Sequence, residues 1–355
     1  MKAVVVRPHV PGSLRLTELP DPVPGPREVL VRTLEVGICG TDADITAGQY
    51  GWAPPDREEL VLGHESLGVV ERVGIAVSSC APGDLVVATV RRPDGCPNCR
   101  HGESDMCSWG RYRERGIKEL DGFLAEHYVE VPEYLVVVPP ALRPTAVLLE
   151  PLTIAVKAVF QAFKIQERLH WEPRRALVLG IGPVGLLGAL LLRARGLEVT
   201  AYDRQDPAEP GPRLAQETGA SYRHAEDADL VTTAPGPYDL ILEATGFSPL
   251  DFQAVETLAP NGVLALLGVT GGDRRLQIPS DRLNQDLVLG NRVVFGSVNA
   301  NRRYFERGVA DLERFAALWP GLTERLITRR LSPAEFVAGE SRREDHIKAV
   351  VEVSR

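Results

Sequence analysis

The stretch Ala176-Leu177-Val178-Leu179-Gly180-Ile181-Gly182-Pro183-Val184-Gly185, followed at once by the apolar run Leu186 to Leu192, decides the fold. The first four residues read as a buried strand and the run after Gly185 as a helix, so the three glycines occupy a strand-to-helix turn. There the first glycine makes the tight turn, the second lets the backbone approach a pyrophosphate, and the third lets helix and strand pack closely. The helix N-terminus then offers its unpaired N–H groups to the anion. Gly180, Gly182, Pro183, Val184 and Gly185 are therefore candidate dinucleotide-binding residues. Asp203, just past the second strand, stands where a carboxylate would bond both ribose hydroxyls and repel a 2′-phosphate, which favours NAD. Arg204 beside it could instead pair with that phosphate, or be a solvated loop residue, so NAD and NADP both stay open.

Outward from this turn, strands are expected at Ala176 to Leu179, Val199 to Tyr202, Leu240 to Glu243 and Val263 to Leu267, with helices such as Val184 to Arg195 between them. That alternation specifies an α/β domain with a doubly wound parallel sheet, over about residues 151 to 297. From residue 1 to about 150, short β-rich runs such as Val29 to Val36 and Leu85 to Val90 are broken by Gly and Pro, which reads as an irregular all-β domain. The segment 298 to 355 returns to mixed character and is expected to complete that first domain. A chain of 355 residues exceeds what one core usually holds, so two domains with a site in the cleft are expected.

The balance of 44% hydrophobic and 25% charged residues is that of a globular enzyme. A formal charge of -8 without a basic block gives no reason to expect a nucleic-acid partner. Met1 to Val6 is a short strand-like run rather than a signal peptide, and no apolar stretch is read as long enough to span a bilayer. A cytoplasmic protein is the expectation.

Cys39, His64, Glu65 and Glu150 offer a thiolate, an imidazole and two carboxylates. Three such ligands make a plausible catalytic zinc set, because a fourth position stays open for water or substrate. The series Gly63-His64-Glu65, Gly68, Gly74 and Val77 matches the signature GHExxGxxxxxGxxV at every fixed position. On this signature, on Gly37-Ile38-Cys39-Gly40-Thr41-Asp42 and on Leu149-Glu150-Pro151-Leu152, the whole chain resembles the zinc-dependent medium-chain alcohol dehydrogenases. The resemblance implies a GroES-like β domain beside a Rossmann domain, and a catalytic zinc held by Cys39, His64, Glu65 and Glu150, one of the two glutamates acting as ligand and the other orienting its surroundings. It also implies a proton path beginning at Thr41, and assembly into homodimers or homotetramers.

In the wider family a lobe carries four cysteines around a structural zinc. Cys96, Cys99 and Cys107 fit the last three places and Pro93 takes the first, leaving Asp94 as the nearest substitute ligand. His101 is another donor, and an empty lobe with ordinary thiols is the alternative. Thr89-Val90-Arg91-Arg92-Pro93, Glu114-Arg115-Gly116-Ile117 and Gly296-Ser297-Val298-Asn299 resemble the glucose dehydrogenase branch. That branch implies a sugar substrate oxidised at C1 to a lactone, with Thr89, Glu114, Glu150 and Asn299 at the sugar and Thr245, Leu267, Val269, Ser297, Asn299 and Lys348 near the cofactor. Taken singly, Glu114 reads as a surface ion pair with its neighbouring arginines and Asn299 as a turn residue. Ile154 stands where relatives carry a sugar-binding Asp, which keeps a sorbitol-type polyol dehydrogenase in play. A noncatalytic NAD(P)-binding regulator is the reading from another class.

Overall fold

The computed structural model describes residues 1–225, 229–234, 236–339 and 347–354. They form two compact units, one of Met1–Glu150, Asn299–Glu313 and Thr323–Arg355, the other of Pro151–Val298 and Arg314–Leu322. Val298 and the short segment Arg314–Leu322 thus group with the second unit, whereas the sequence placed residues 298 to 355 with the first.

The first unit is built on a seven-stranded sheet whose central strand, Val29–Ile38, pairs antiparallel with Glu65–Val73 on one side and Lys348–Glu352 on the other. His127–Glu130 also pairs with the central strand, and Ile327–Leu331 continues the sheet beyond Lys348–Glu352. Alternating valines and leucines place Val29, Val31 and Val36 in a core shared with Val4, Leu62 and Phe123. Two three-stranded sheets complete the unit, one containing Lys2–Val6 and the other Arg91–Arg92, Arg113–Arg115 and Glu119–Leu120.

The second unit is a six-stranded parallel sheet in the order Ser221–His224, Glu198–Asp203, Arg175–Leu179, Tyr238–Glu243, Leu258–Leu266, Val293–Gly296. The chain winds outward in one direction from Arg175–Leu179 and then restarts on its other side with Tyr238–Glu243, so the strand order reverses between these two. In doubly wound sheets ligands bind at that reversal, outside the carboxyl ends of the strands. The first three expected strands lie inside the observed ones, whereas the fourth, expected at Val263 to Leu267, begins five residues earlier and ends one residue earlier, as Leu258–Leu266; Pro260 and Gly262 interrupt its apolar run and hid its start.

One expectation needs correction. Ala146–Gln166, at 21 residues, is long and apolar enough to cross a bilayer by length and composition. The apolar window is 78% buried inside the protein, with Leu149, Leu152, Ala155 and Ala158 fully enclosed. Its apolarity on all sides is that of a helix running through a core.

Candidate metal centre and dinucleotide turn

The register of the central strand assembles the first cluster. Gly37 lies opposite Glu65 in one neighbouring strand and Val350 in the other. The Glu65 carboxylate and the Lys348 ammonium meet over Gly37, with Lys348 Nζ donating to Glu65 Oε1 at 2.6 Å and to Ile38 O at 2.8 Å. Gly37 has to be glycine, since a Cβ there would stand 2.1 Å from Glu65 Oε2 and 2.9 Å from Lys348 Cε. Both charged side chains are buried, an arrangement tolerable only because each neutralises the other. Burial works against the Lys348 charge, but Glu65 and Cys39 raise its pKa above the ordinary lysine value.

Where the central strand ends, Cys39 caps the helix Gly40–Thr46, its Sγ accepting from Thr41 N at 3.2 Å. Asp42 closes the reciprocal bond by accepting from Cys39 N at 3.0 Å. This capping box pins the thiol. Cys39 Sγ lies 3.2 Å from His64 Nε2, and the other ring nitrogen, Nδ1, lies 3.4 Å from Asp42 Oδ1. A carboxylate behind one ring nitrogen fixes which nitrogen is presented to a metal. Burial would lower the His64 pKa, yet the facing Cys39 and Asp42 carry it well above the usual histidine value. Glu150, in the first turn of Leu149–Gln166, completes the group. Burial raises its pKa to about 7, His64 opposes that rise, and Glu65 adds to it.

Ligand atoms of Cys39, Asp42 and His64 lie within 4.8 Å of one another, as do those of His64, Glu65 and Glu150. Three carboxyl groups and a thiol thus converge on one imidazole and one ammonium. Against burial, the facing thiol and carboxylate raise the His64 pKa, and burial, with Glu65, raises that of Glu150; a divalent cation bound here would neutralise the same negative groups. Sulfur, imidazole and carboxylate donors in one buried cluster fit zinc.

The second cluster is made by one loop. Asp94 Oδ2 accepts from Cys107 Sγ at 3.0 Å and Oδ1 from Cys99 Sγ at 3.4 Å, while Cys96 Sγ lies 3.9 Å from Cys107 Sγ. All four ligand atoms fall within 4.8 Å of one another. Cys96 Sγ accepts backbone N–H bonds from Cys99 and Ser108, and Cys107 Sγ accepts one from Gly110. The hydrogen bond from Cys107, reinforced by the Cys96 and Arg111 amides, holds the Asp94 pKa well below the ordinary carboxylate value. The other donor weighed from the sequence, His101, turns its Nδ1 to Pro97 O at 2.8 Å.

In the second unit, Gly180 has φ +84° and Gly182 caps the helix Pro183–Ala194. A Cβ on Gly185 would stand 1.8 Å from Gly180 O, whereas one on Gly182 would meet nothing within 4 Å. The third glycine is therefore required by packing, and the second faces open space over the helix N-terminus. Asp203 accepts from Ile181 N at 2.7 Å and Gln205 N at 3.0 Å, which ties the end of its strand to the glycine turn. Arg204 is exposed beside it. The Thr245 and Gly246 amides both donate to Glu243 Oε1, at 2.7 and 3.2 Å, and the Thr245 hydroxyl does so as well. Leu267 N bonds Glu243 O at 2.8 Å, Val269 is exposed, and Ser297 is buried with its N–H on Leu266 O.

Glu114 and Asn299 are drawn together, with Asn299 Nδ2 donating to Glu114 Oε1 at 2.9 Å. Glu114 is not the surface ion pair its flanking arginines suggested. It is buried, and its partner is the buried Arg91, whose Nε donates to Oε1 at 3.0 Å. Asn299 does adopt a left-handed conformation, φ +59°. Thr89 is engaged elsewhere, its hydroxyl and carbonyl oxygens both accepting from Arg92 Nη1.

Sequence reasoning missed four contributors: Asp42 behind His64, Lys348 as the counter-ion of Glu65, Arg91 behind Glu114, and Glu243 behind the Thr245 loop. Asp42 had a readable signal, since an acid three residues after a capping side chain is a capping-box pattern. Glu243 is a local partner, two residues before Thr245, whereas Lys348 and Arg91 are paired by tertiary structure alone.

Residues 143–353 match the family described as glucose dehydrogenase C-terminus, and residues 25–141 match the alcohol dehydrogenase GroES-like domain. The chain belongs to the glucose dehydrogenase family. Among its relatives, the glucose 1-dehydrogenase of Methanocella arvoryzae is 45% identical, the match covering 99% of each chain. That of Thermoproteus tenax is 43% identical with the same coverage. The glucose dehydrogenase of Haloferax mediterranei, solved in complex with NADP, zinc and gluconolactone, superposes with a TM-score of 0.91 at 34% identity over 100% of both chains.

Proposed function

We propose that this protein is a zinc-dependent glucose 1-dehydrogenase, oxidising the C1 hydroxyl of D-glucose to glucono-1,5-lactone with transfer of hydride to NAD or NADP and release of a proton. The observation that carries the reading is the pair of overlapping donor groups, Cys39, Asp42 and His64 on one side and His64, Glu65 and Glu150 on the other, which meet at the buried His64 in a chain of this family. A noncatalytic dinucleotide-binding protein would have no use for so costly a cluster.

Cys39, His64 and Glu150 would hold the zinc, with Asp42 orienting His64 and Lys348 drawing Glu65 back from the metal as a neighbour that tunes the site. Bound there, zinc supplies a Lewis acid that lowers the pKa of a coordinated hydroxyl. Thr41, fixed by its N–H bond to Cys39 Sγ, offers a hydroxyl that would take up the substrate proton while passing its own on to solvent. Glu114 and Asn299 read sugar hydroxyls, a task for which buried polar groups give strong discrimination. The Gly180 to Gly185 turn takes the pyrophosphate, and Asp203 and Arg204 compete over the ribose. Four residues of Asp94, Cys96, Cys99 and Cys107 form a closed set suited to a structural zinc. The edge strand Val293–Gly296, with Val294 40% exposed, is where we place the contact between Rossmann sheets of a homo-oligomer.

The test is the initial rate of nicotinamide reduction with D-glucose, using NAD and NADP in parallel and a chelator as control. Chelator-sensitive turnover is the expected result, and the ratio of the two rates reads the balance between Asp203 and Arg204. Turnover of open-chain polyols but not of D-glucose would replace the reading by a sorbitol-type one.

A further inference from the structure

The lobe that carries the cysteine cluster is tied to the Glu114–Asn299 pair by a ring of four hydrogen bonds that the backbone from Asn299 to Asn301 closes, and Asp105 is where the ring meets the lobe. Asp105 lies in the single 3-10 turn Ser104–Met106, which runs directly into Cys107. It is buried, at 4% exposure. Its carboxylate accepts from Asn301 Nδ2 at 2.7 Å, and its backbone oxygen accepts from Arg91 Nη1 at 3.2 Å. Each of these partners leads to the same oxygen. Arg91 donates through Nε to Glu114 Oε1, and Asn299, two residues before Asn301, donates through Nδ2 to that oxygen. Asn301 is itself fixed, its Oδ1 accepting from Arg303 N at 3.1 Å at the start of the helix Arg302–Leu318. Arg91 is further held flat, its guanidinium 3.6 Å from the centre of the Tyr112 ring.

The ring has a physical purpose. A buried carboxylate has several lone pairs and two rotatable bonds above them, and it reads a sugar hydroxyl only if its orientation is set beforehand. Arg91 and Asn299 each give one donor to the same oxygen of Glu114, which sets that orientation. Asp105 determines where both donors stand, through its side chain for the Asn299–Asn301 segment and through its main chain for Arg91.

We propose that Asp105 is a positioning residue for sugar recognition, and that the cysteine lobe sets sugar affinity through it. The proposal rests on the reading of Glu114 and Asn299 as sugar-binding residues. Asp105 makes no contact with substrate in this account, and it acts through Asn301 and Arg91.

The experiment compares Asp105→Ala, Asn301→Ala and the double variant in the full-length enzyme, measuring KM for D-glucose, KM for the dinucleotide, kcat and melting temperature. Each single variant should raise the KM for D-glucose by about tenfold, the order expected for a lost hydrogen bond to a charged group. The double variant should add little to either single one, because both remove the same bond. Asp105→Asn, which keeps the acceptor oxygen, should restore most of the affinity. Dinucleotide KM and kcat should stay within about twofold of the parent, since neither Asn301 nor Arg91 belongs to the glycine turn. An unchanged KM for D-glucose in both alanine variants would overturn the proposal. So would a rise in both KM values together with a fall in melting temperature, which would reduce Asp105 to a residue that merely holds the fold. A parent enzyme inactive on D-glucose would instead break the functional reading, and the same variants would then be read on the alcohol it does oxidise.

Discussion

The two donor clusters of the first unit are built in opposite ways. The Cys96 cluster is drawn from residues 94 to 107, a single loop, and supplies its own electrostatics through backbone N–H bonds to Cys96 and Cys107. The Cys39 cluster is collected from four distant parts of the chain, and its counter-ion, Lys348, is 283 residues from Glu65. The first presents three sulfurs and a carboxylate that face one another with no donor left for a fifth partner, which is how a structural metal is enclosed. The second mixes sulfur, nitrogen and oxygen, and carries carboxylates in excess. In the proposed reading the first cluster holds a loop together and the second carries the chemistry. In this chain the local cluster is the one proposed to hold a structural metal, and the dispersed cluster is the one proposed to be catalytic.

Removing one member from each cluster should separate them cleanly. Cys39→Ala should lower kcat with D-glucose by about a thousandfold or more, the scale of losing metal polarisation. Dinucleotide binding, followed by nicotinamide fluorescence, should persist because the glycine turn lies in the other unit. Turnover close to the parent's would break the comparison at its catalytic end. Asp42→Ala should have a smaller effect, weakening zinc retention at the Cys39 site by about ten- to a hundredfold against a competing chelator. An unaltered retention would mean that the bond behind His64 does not orient it.

At the structural end the expected effect is on titration rather than rate. In metal-stripped protein, burial acts to raise the Cys96 pKa, but the Cys99 and Ser108 amides overcome it and bring the value to about 7, whereas burial pushes Cys99 up to about 11. A thiol whose folded pKa is depressed from 9.0 stabilises the fold fully only above that unfolded value, and the contribution fades as pH falls through about 7. The thiolate absorbance of stripped Cys39→Ala protein should therefore show a step near neutral pH, and its melting temperature should fall slightly on going from pH 9 to pH 6. Absence of any thiolate below pH 8 would show that the amide bonds do not organise the lobe in advance of a metal.

Much of this was legible because the physics involved is local. The glycine turn could be read from Gly180 to Gly185, since a tight turn, an open approach and a close helix contact are demands on consecutive residues. The three cysteines and Asp94 could be read for the same reason. Taken singly, Glu114 suggested a surface ion pair because Arg113 and Arg115 flank it, but its charged partner is Arg91. Strand pairing turns Arg91 towards it, and Asn299 arrives from 185 residues away. The helix through Ala146–Gln166 shows the converse, since its composition alone cannot tell a core from a bilayer.

The sequence by itself determined the donor types, the parallel sheet and the position of the dinucleotide turn, because spacing and periodicity constrain backbone geometry directly. Only the tertiary structure decided which charges neutralise which. It brought Lys348 to Glu65 over Gly37, Asp42 to His64, and Arg91, Asn299 and Asp105 into one ring around Glu114. Burial makes an unpaired charge expensive wherever it stands, but the identity of its partner depends on how strands from opposite ends of the chain fall into register.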